Sequence, residues 1–86
     1  GFRKEYAVKK ETLTTRGLFD VRLNIADDII TEIRIFGDYF ALKDIGSLES
    51  ALIGTRYDPQ SLINALSVVG EFFPDMTAGE MLKLIL

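Results

Sequence analysis

The chain has 86 residues, of which 48% are hydrophobic and 27% charged, and its net charge is −3 at pH 7. This balance is typical of one folded domain and argues against a disordered segment. The chain has no cysteine and no histidine, which excludes disulfides, thiol nucleophiles and imidazole bases and argues against zinc and iron–sulfur sites.

The first segment alternates apolar and charged residues, which predicts a β-strand at the edge of a sheet. Phe2, Tyr6 and Val8 share one face, and a turn-prone stretch follows at 12–17. Residues 1–16 carry five basic and two acidic side chains, whereas the remainder carries five basic and eleven acidic ones. The basic strand is interpreted as a protected sheet edge, with docking to an acidic partner as the alternative. A net acidic domain argues against nucleic-acid binding.

The next two segments are predicted to form an antiparallel hairpin with one buried face. The residues expected to point inward are Phe19, Val21, Leu23, Ile25, Ile33 and Ile35. Gly37 and Asp38 are expected to end the third strand.

Two registers of this hairpin keep the apolar residues on one face. In one, Arg22 lies opposite Arg34, which is repulsive. In the other, Arg22 faces Glu32 and Asp20 faces Arg34, and opposite charges favour such pairs by up to about 1 kcal/mol each. We therefore predict the second register, with a loop of Ala26-Asp27-Asp28 whose last residue is left-handed.

The second half has helical periodicity and predicts three short helices. Asp44 or Ser47 is expected to cap the first helix, which Gly54 ends. The predicted buried residues of the three helices are Ile45, Leu48 and Leu52, with Ala51 left open; Leu62, Ile63, Leu66 and Val69; and Met81, Leu82, Leu84 and Ile85.

The other helix ends are also marked in the sequence. Asp58 is the expected N-cap of the second helix with Pro59 at its first position, and Gly70 is expected to end it. Thr77 and Glu80 form a capping box for the third helix. Strands followed by helices predict an α+β fold, a three-stranded antiparallel sheet with about three short helices on one face.

The four residues Gly37, Asp38, Tyr39 and Phe40 form the most unusual stretch. One interpretation is a loop that faces a partner or ligand. The favoured interpretation is structural: a glycine free in φ, an aspartate bonded to backbone amides, and two aromatic rings that fill the core.

Other candidate groups have structural interpretations too. The carboxylates of Asp27, Asp28 and Asp75 are interpreted as turn residues rather than acid–base groups or Mg²⁺ ligands. The segment 54–57 lacks the pattern of a phosphate-binding loop and is expected to link two helices, with Tyr57 packed. No catalytic, cofactor-binding or metal-binding residue is therefore predicted.

The run 30–40, ITEIRIFGDYF, resembles a strand in the C-terminal accessory domain of bacterial lipoate–protein ligases. The similarity continues in order and spacing through 44–58 and along the next helix to Thr77, Glu80, Leu82 and Leu84. It covers most of the chain and is strongest from about residue 17. Asp28 departs from the family, which often has glycine at this turn.

The resemblance implies a function for a longer protein. These ligases activate lipoate with ATP and Mg²⁺ and pass the lipoyl group to a lysine of an acceptor lipoyl domain. The lipoate pocket and catalytic lysine belong to a large N-terminal domain, and the small domain shifts between the two steps. The fold is also similar to iron–sulfur scaffold and sulfur-acceptor domains.

From this resemblance we expect residues 1–86 to be an accessory domain that binds no cofactor and acts as a lid on the large domain in the cytoplasm. The loop 37–40 and the basic first strand are the candidate docking surfaces. The chain begins at Gly1 and ends at Leu86 without a tail, which suggests a piece of a longer protein. No membrane span is expected. The alternative is a non-catalytic interaction module of an unrelated multidomain protein.

Overall fold

Three strands precede all the helices in the computed structural model, which describes residues 5–86. The elements, in chain order, are β1 (Val8–Thr14), β2 (Gly17–Ala26), β3 (Ile29–Gly37), α1 (Ile45–Leu52), α2 (Pro59–Ala65), a 3₁₀ helix (Leu66–Glu71) and α3 (Ala78–Ile85). This confirms the predicted α+β class. The predicted position of Phe2 lies outside the described residues.

The sheet is antiparallel in the order β1-β2-β3, so β1 is an edge strand as predicted. The side chains of Phe19, Val21 and Leu23 are fully buried, and Ile33 and Ile35 are nearly so. The helices pack against this face and complete a single hydrophobic core. The alternation in the sequence therefore identified the buried face correctly.

The predicted hairpin register is wrong, because Arg22 lies opposite Arg34. The register shifts beside Asn24, where Glu32 and Ile30 pair with consecutive residues of β2 and leave Thr31 as an extra residue in β3. A bulge of this kind changes the parity of the pairs beyond it. The loop therefore contains two residues instead of three.

The repulsion between the two arginines is offset by neighbouring groups. Arg22 pairs with Asp20 at 3.0 Å, and Arg34 pairs with Glu49 at 3.3 Å. Both guanidinium groups also lie over the ring of Phe36, at 5.8 and 5.1 Å from its centroid. One ion pair lies within β2, the other joins β3 to α1, and the ring of Phe36 contacts both arginines. The predicted register compared only directly opposite charges, which leaves out all of these contacts.

The hairpin loop has two residues in the left-handed region, Asp27 at φ 51° and Asp28 at φ 63°. The left-handed conformation predicted for Asp28 is confirmed. Asp75, at φ 68°, also lies in a turn. All three aspartates are turn residues, as the sequence indicated.

The segment between α1 and α2 runs beside the start of β3. The amide of Tyr57 donates to the Asp28 carbonyl at 2.8 Å, and the amide of Gly54 donates to the Ile30 carbonyl at 2.8 Å. The hydroxyl of Tyr57 donates to the carbonyl of Ile85 at 2.9 Å. The prediction of a linking segment with Tyr57 packed is confirmed.

The N-cap of the first helix is one of the two residues that the sequence predicted. The side chain of Asp44 accepts a hydrogen bond from the amide of Gly46, so Asp44 rather than Ser47 is the N-cap. Leu48 and Leu52 are fully buried. Ala51, which the sequence left open as a buried position, is exposed.

The second predicted helix is confirmed at its start and wrong at its end. Asp58 accepts from the amide of Ser61 at 2.8 Å. The α-helix stops at Ala65 and continues as the 3₁₀ helix past Gly70. Tightening to three residues per turn keeps residues three apart on one face. Ile63, which the sequence predicted to be buried, lies in α2 one residue after the buried Leu62 and is exposed.

The third helix begins with the predicted capping box. The Thr77 hydroxyl accepts from the Glu80 amide at 3.1 Å, and a Glu80 carboxylate oxygen accepts from the Thr77 amide at 3.0 Å. Met81 and Ile85 are fully buried, and Leu84 is nearly so. Among the helices of residues 5–86, none has the length and apolar character needed to cross a membrane.

Candidate interdomain surface

The loop after β3 is joined to the start of β2 by hydrogen bonds. The Leu18 amide donates to Oδ1 of Asp38 at 2.6 Å, and the Asp38 amide donates to the Leu18 carbonyl at 3.2 Å. Gly37 precedes this pair at φ 146°, a conformation that disfavours any side chain. Gly37 and Asp38 therefore have the structural roles that the sequence predicted.

Tyr39 turns back into the core. Its ring stacks on Phe19 at 4.7 Å between centroids and meets the edge of Phe73 at 5.5 Å. Its hydroxyl donates to the carbonyl of Ile35. Burial, and to a smaller extent the nearby Glu49 carboxylate, raise the pKa of Tyr39 above its ordinary value. This side chain stabilises the core.

Phe40 is different, because 81% of its surface is exposed. The structural interpretation of two core aromatic rings is thus right for Tyr39 and wrong for Phe40. Leu42 is 60% exposed, although its amide donates to the carbonyl of Phe72 at 2.9 Å. Of the four residues singled out in the sequence, only Phe40 presents a large apolar side chain to solvent.

The sheet face away from the helices carries a second exposed apolar group. Phe36 points outward between Arg22 and Arg34 and is 41% exposed, and Leu13 on β1 is 80% exposed. Neither side chain was predicted from the sequence as part of a site. The outward direction of Phe36 could have been predicted, because it follows the inward-facing Ile35 and successive side chains of a strand point to opposite faces.

Glu49 is a buried charged residue that sequence reasoning did not identify. Its carboxylate accepts from the backbone amide of Ile35 at 2.7 Å and from Nε of Arg34 at 3.3 Å. The first contact satisfies an amide at the outer edge of β3. Through this oxygen, Oε2, the residue attaches α1 to the sheet.

A groove of about 460 Å³ separates β1 from α3. Lys10 and Thr12 line one side, Lys83 lines the other, and the buried side chains of Met76 and Leu84 contribute its apolar part. Within residues 5–86, no group of three or more His, Cys, Asp or Glu side chains could hold a metal ion.

Comparison with known proteins connects this fold to one family. A sequence model described as the C-terminus of bacterial lipoate protein ligase matches residues 3–85. A lipoate–protein ligase of Streptococcus pyogenes serotype M5 (strain Manfredo) is 32% identical over 87 aligned residues, covering 99% of this chain and 26% of the relative.

Two further relatives give the same result. Lipoate–protein ligase 1 of Staphylococcus aureus (strain Mu50) is 28% identical over 99% of this chain and 26% of its own length. A probable lipoate-protein ligase A of Mycoplasma pneumoniae (strain M129) is 25% identical over 88% of this chain and 23% of its own length. The chain spans about a quarter of the length of these relatives.

Proposed function

Because the chain belongs to the family of C-terminal domains of bacterial lipoate protein ligases, we propose that it is the accessory domain of such a ligase and acts as a lid. The observation that carries this proposal is the match over residues 3–85 to one end of proteins about four times as long. The same match favours a ligase over an unrelated multidomain protein.

In this proposal the reaction takes place on a large N-terminal domain. That domain would bind ATP, Mg²⁺ and lipoate, form the lipoyl-adenylate and transfer the lipoyl group to a lysine of an acceptor lipoyl domain. Residues 1–86 would supply no reacting group and bind no cofactor. Closure of the small domain would exclude water from the reactive adenylate, as gating elements do in other enzymes.

The exposed apolar residues after β3 are the proposed docking surface. Phe40 and Leu42 are largely exposed, while the backbone beside them is held by the contacts of Asp38 and by the carbonyl of Phe72. Burial of Phe40 against the large domain would gain apolar contact without rearrangement of the core. The basic strand β1 is a second proposed contact.

Complementation tests this function. The 86-residue chain is mixed with a separately produced large domain, and pyrophosphate release is measured with lipoate, ATP and Mg²⁺. We expect the chain to bind the large domain and to increase the rate. Binding without any increase would contradict the lid function.

A matched pair of variants tests the docking surface. Phe40→Ser is expected to weaken binding to the large domain by about fivefold or more, as expected for a buried aromatic contact. Ile53→Ser removes another exposed apolar side chain and should leave binding unchanged. Its neighbour Gly54 bonds to Ile30 at the start of β3, whereas Phe40 follows the end of that strand. Equal effects of the two substitutions would exclude Phe40 as the contact.

We infer a cytoplasmic location, because the lack of cysteine fits a reducing compartment. We also propose that the arrangement of the sheet and helices is related to that of iron–sulfur scaffold and sulfur-acceptor domains. Without cysteine the chain cannot share their sulfur chemistry.

A further inference from the structure

The groove between β1 and α3 exists because polar residues occupy core-side positions of an edge strand. Lys10 pairs with Val21 and Thr12 pairs with Phe19, so both lie on the sheet face that the helices cover. Directly paired side chains lie on the same face of a sheet. The two β2 partners are fully buried, whereas Lys10 and Thr12 remain partly exposed beside α3.

The cations of this groove form no salt bridge within the described part of the chain. The described cations that form an ion pair are Arg22, Arg34, Lys43 and Arg56. Lys10, Arg16 and Lys83 form none with residues 5–86, and all three line the groove. Three of the four described cations without an ion pair therefore line the groove, and the fourth, Lys9, lies on the opposite face of β1.

The acidic residue on the groove wall, Glu80, already accepts a hydrogen bond within the chain. The carboxylate of Glu80 accepts the backbone hydrogen bond of the capping box at 3.0 Å. Hydrogen bonds from the Thr77 backbone and side chain, and then the charges of Arg16 and Lys83, hold the pKa of Glu80 below its ordinary value. Glu80 stays ionised, but it leaves the groove with an excess of positive charge.

The shape of the groove favours an extended ligand. Within residues 5–86, β1 pairs with β2 along one side only, so its other side is an open strand edge. A peptide added as a strand at such an edge would direct every second side chain into the groove. Met76 and Leu84 provide buried apolar surface for the stems of those side chains.

We propose that this groove binds an extended acidic peptide segment of a partner protein, whose alternate carboxylates contact Lys10, Arg16 and Lys83. Main-chain hydrogen bonds to β1 would set the direction of the peptide, and charge would select its sequence. The groove does not include Phe40. It uses strand β1, the second proposed contact, but binding of a peptide to this chain does not require the lid function.

Binding is measured by fluorescence anisotropy with two labelled peptides and the 86-residue chain. One peptide alternates Glu with Thr, and the other alternates Gln with Thr. We expect the Glu peptide to bind about tenfold more tightly at low salt, because several of its carboxylates can pair with the three cations of the groove. Its affinity should fall as salt is added, because salt screens exposed charges. Equal affinities would overturn the proposal.

Adjacent lysines of β1 provide a matched control. Lys10 faces the groove, whereas Lys9 lies on the opposite face of the strand and pairs with Arg22. Lys10→Gln and Lys83→Gln should each weaken binding of the Glu peptide about three- to fivefold, and Lys9→Gln should have little effect. Equal losses for Lys9→Gln and Lys10→Gln would mean non-specific attraction and would overturn the site. Thermal unfolding of each variant confirms that it is folded.

Competition distinguishes a peptide from other anions. Inorganic phosphate and ATP should displace no more of the bound Glu peptide than sodium chloride does at the same ionic strength. Strong displacement by phosphate or ATP that Lys10→Gln abolishes would identify a phosphate site and would refute the peptide proposal.

Discussion

A Cβ atom placed on Gly37 would lie 1.9 Å from the carbonyl oxygen of Leu18. That carbonyl accepts the amide of Asp38, and Oδ1 of Asp38 accepts the amide of Leu18. The last residue of β3 and the start of β2 thus approach each other so closely that only glycine fits.

Gly37→Ala should therefore lower the free energy of unfolding by about 2–4 kcal/mol. The loss arises because the new side chain is strained at positive φ and because its Cβ clashes with the backbone of Leu18. Gly70→Ala is the control, because a Cβ there meets nothing within 4 Å and φ needs no glycine. It should be neutral or slightly stabilising. Urea unfolding of both variants checks this, and similar losses for the two would contradict the steric argument.

A substitution in the turn between β2 and β3 should have the opposite effect on stability. Asp28 has φ 63°, where a side chain is strained and glycine is not. Asp28→Gly should be neutral or raise the free energy of unfolding by up to about 1 kcal/mol. A clear drop in the thermal midpoint would show that the aspartate side chain stabilises the turn.

Two substitutions of Glu49 separate the contribution of its hydrogen bond from that of its charge. Glu49→Ala leaves the Ile35 amide without its acceptor and Arg34 without its partner. We expect a loss of about 2–4 kcal/mol, since an unsatisfied buried amide costs about 1–3 kcal/mol and a partly exposed ion pair contributes less. Glu49→Gln retains an oxygen acceptor and should lose about 1 kcal/mol. Chemical denaturation distinguishes the two, and equal losses would assign the effect to charge.

Stability should fall in acid through two helix caps. Hydrogen bonds from the Ser61 backbone and hydroxyl lower the pKa of Asp58 from 3.8, and those from Thr77 lower the pKa of Glu80 from 4.5. A carboxylate whose pKa is lower in the folded state stabilises the protein above its unfolded pKa. This stabilisation is lost as the pH falls through the folded pKa. The thermal midpoint should therefore decrease from about pH 5 downward.

Asp58→Asn retains a cap acceptor but cannot titrate. The decrease of its midpoint between pH 5 and pH 3 should be smaller than that of the unsubstituted chain. An identical decrease would show that other carboxylates are responsible. Scanning calorimetry at several pH values provides the measurement.

The sequence predicted what depends on local periodicity and capping. The buried side chains of β2 follow from strict alternation, and Asp58 and Thr77 were identifiable as caps because their partners lie three residues away. The register of the hairpin could not be predicted in this way. It depends on a bulge and on Glu49, which reaches Arg34 from a helix fifteen residues later in the chain.

The candidate site was predictable only in part. The stretch 37–40 was selected correctly as unusual, but its interpretation required knowing that Tyr39 finds Phe19 and Phe73 in the core while Phe40 finds no such space. The groove beside Lys10 could not be foreseen, since it depends on how far α3 extends over β1. Such contacts join residues distant in sequence.

The contacts of Asp38 have a consequence for the thermodynamics of association. Phe40 follows a backbone held to Leu18, and two residues later the Leu42 amide is held to Phe72. A ring carried on a segment with both ends fixed loses little conformational entropy when a second surface covers it. A surface that covers Phe40 can therefore gain its apolar contact at a low entropic cost, without first ordering the loop.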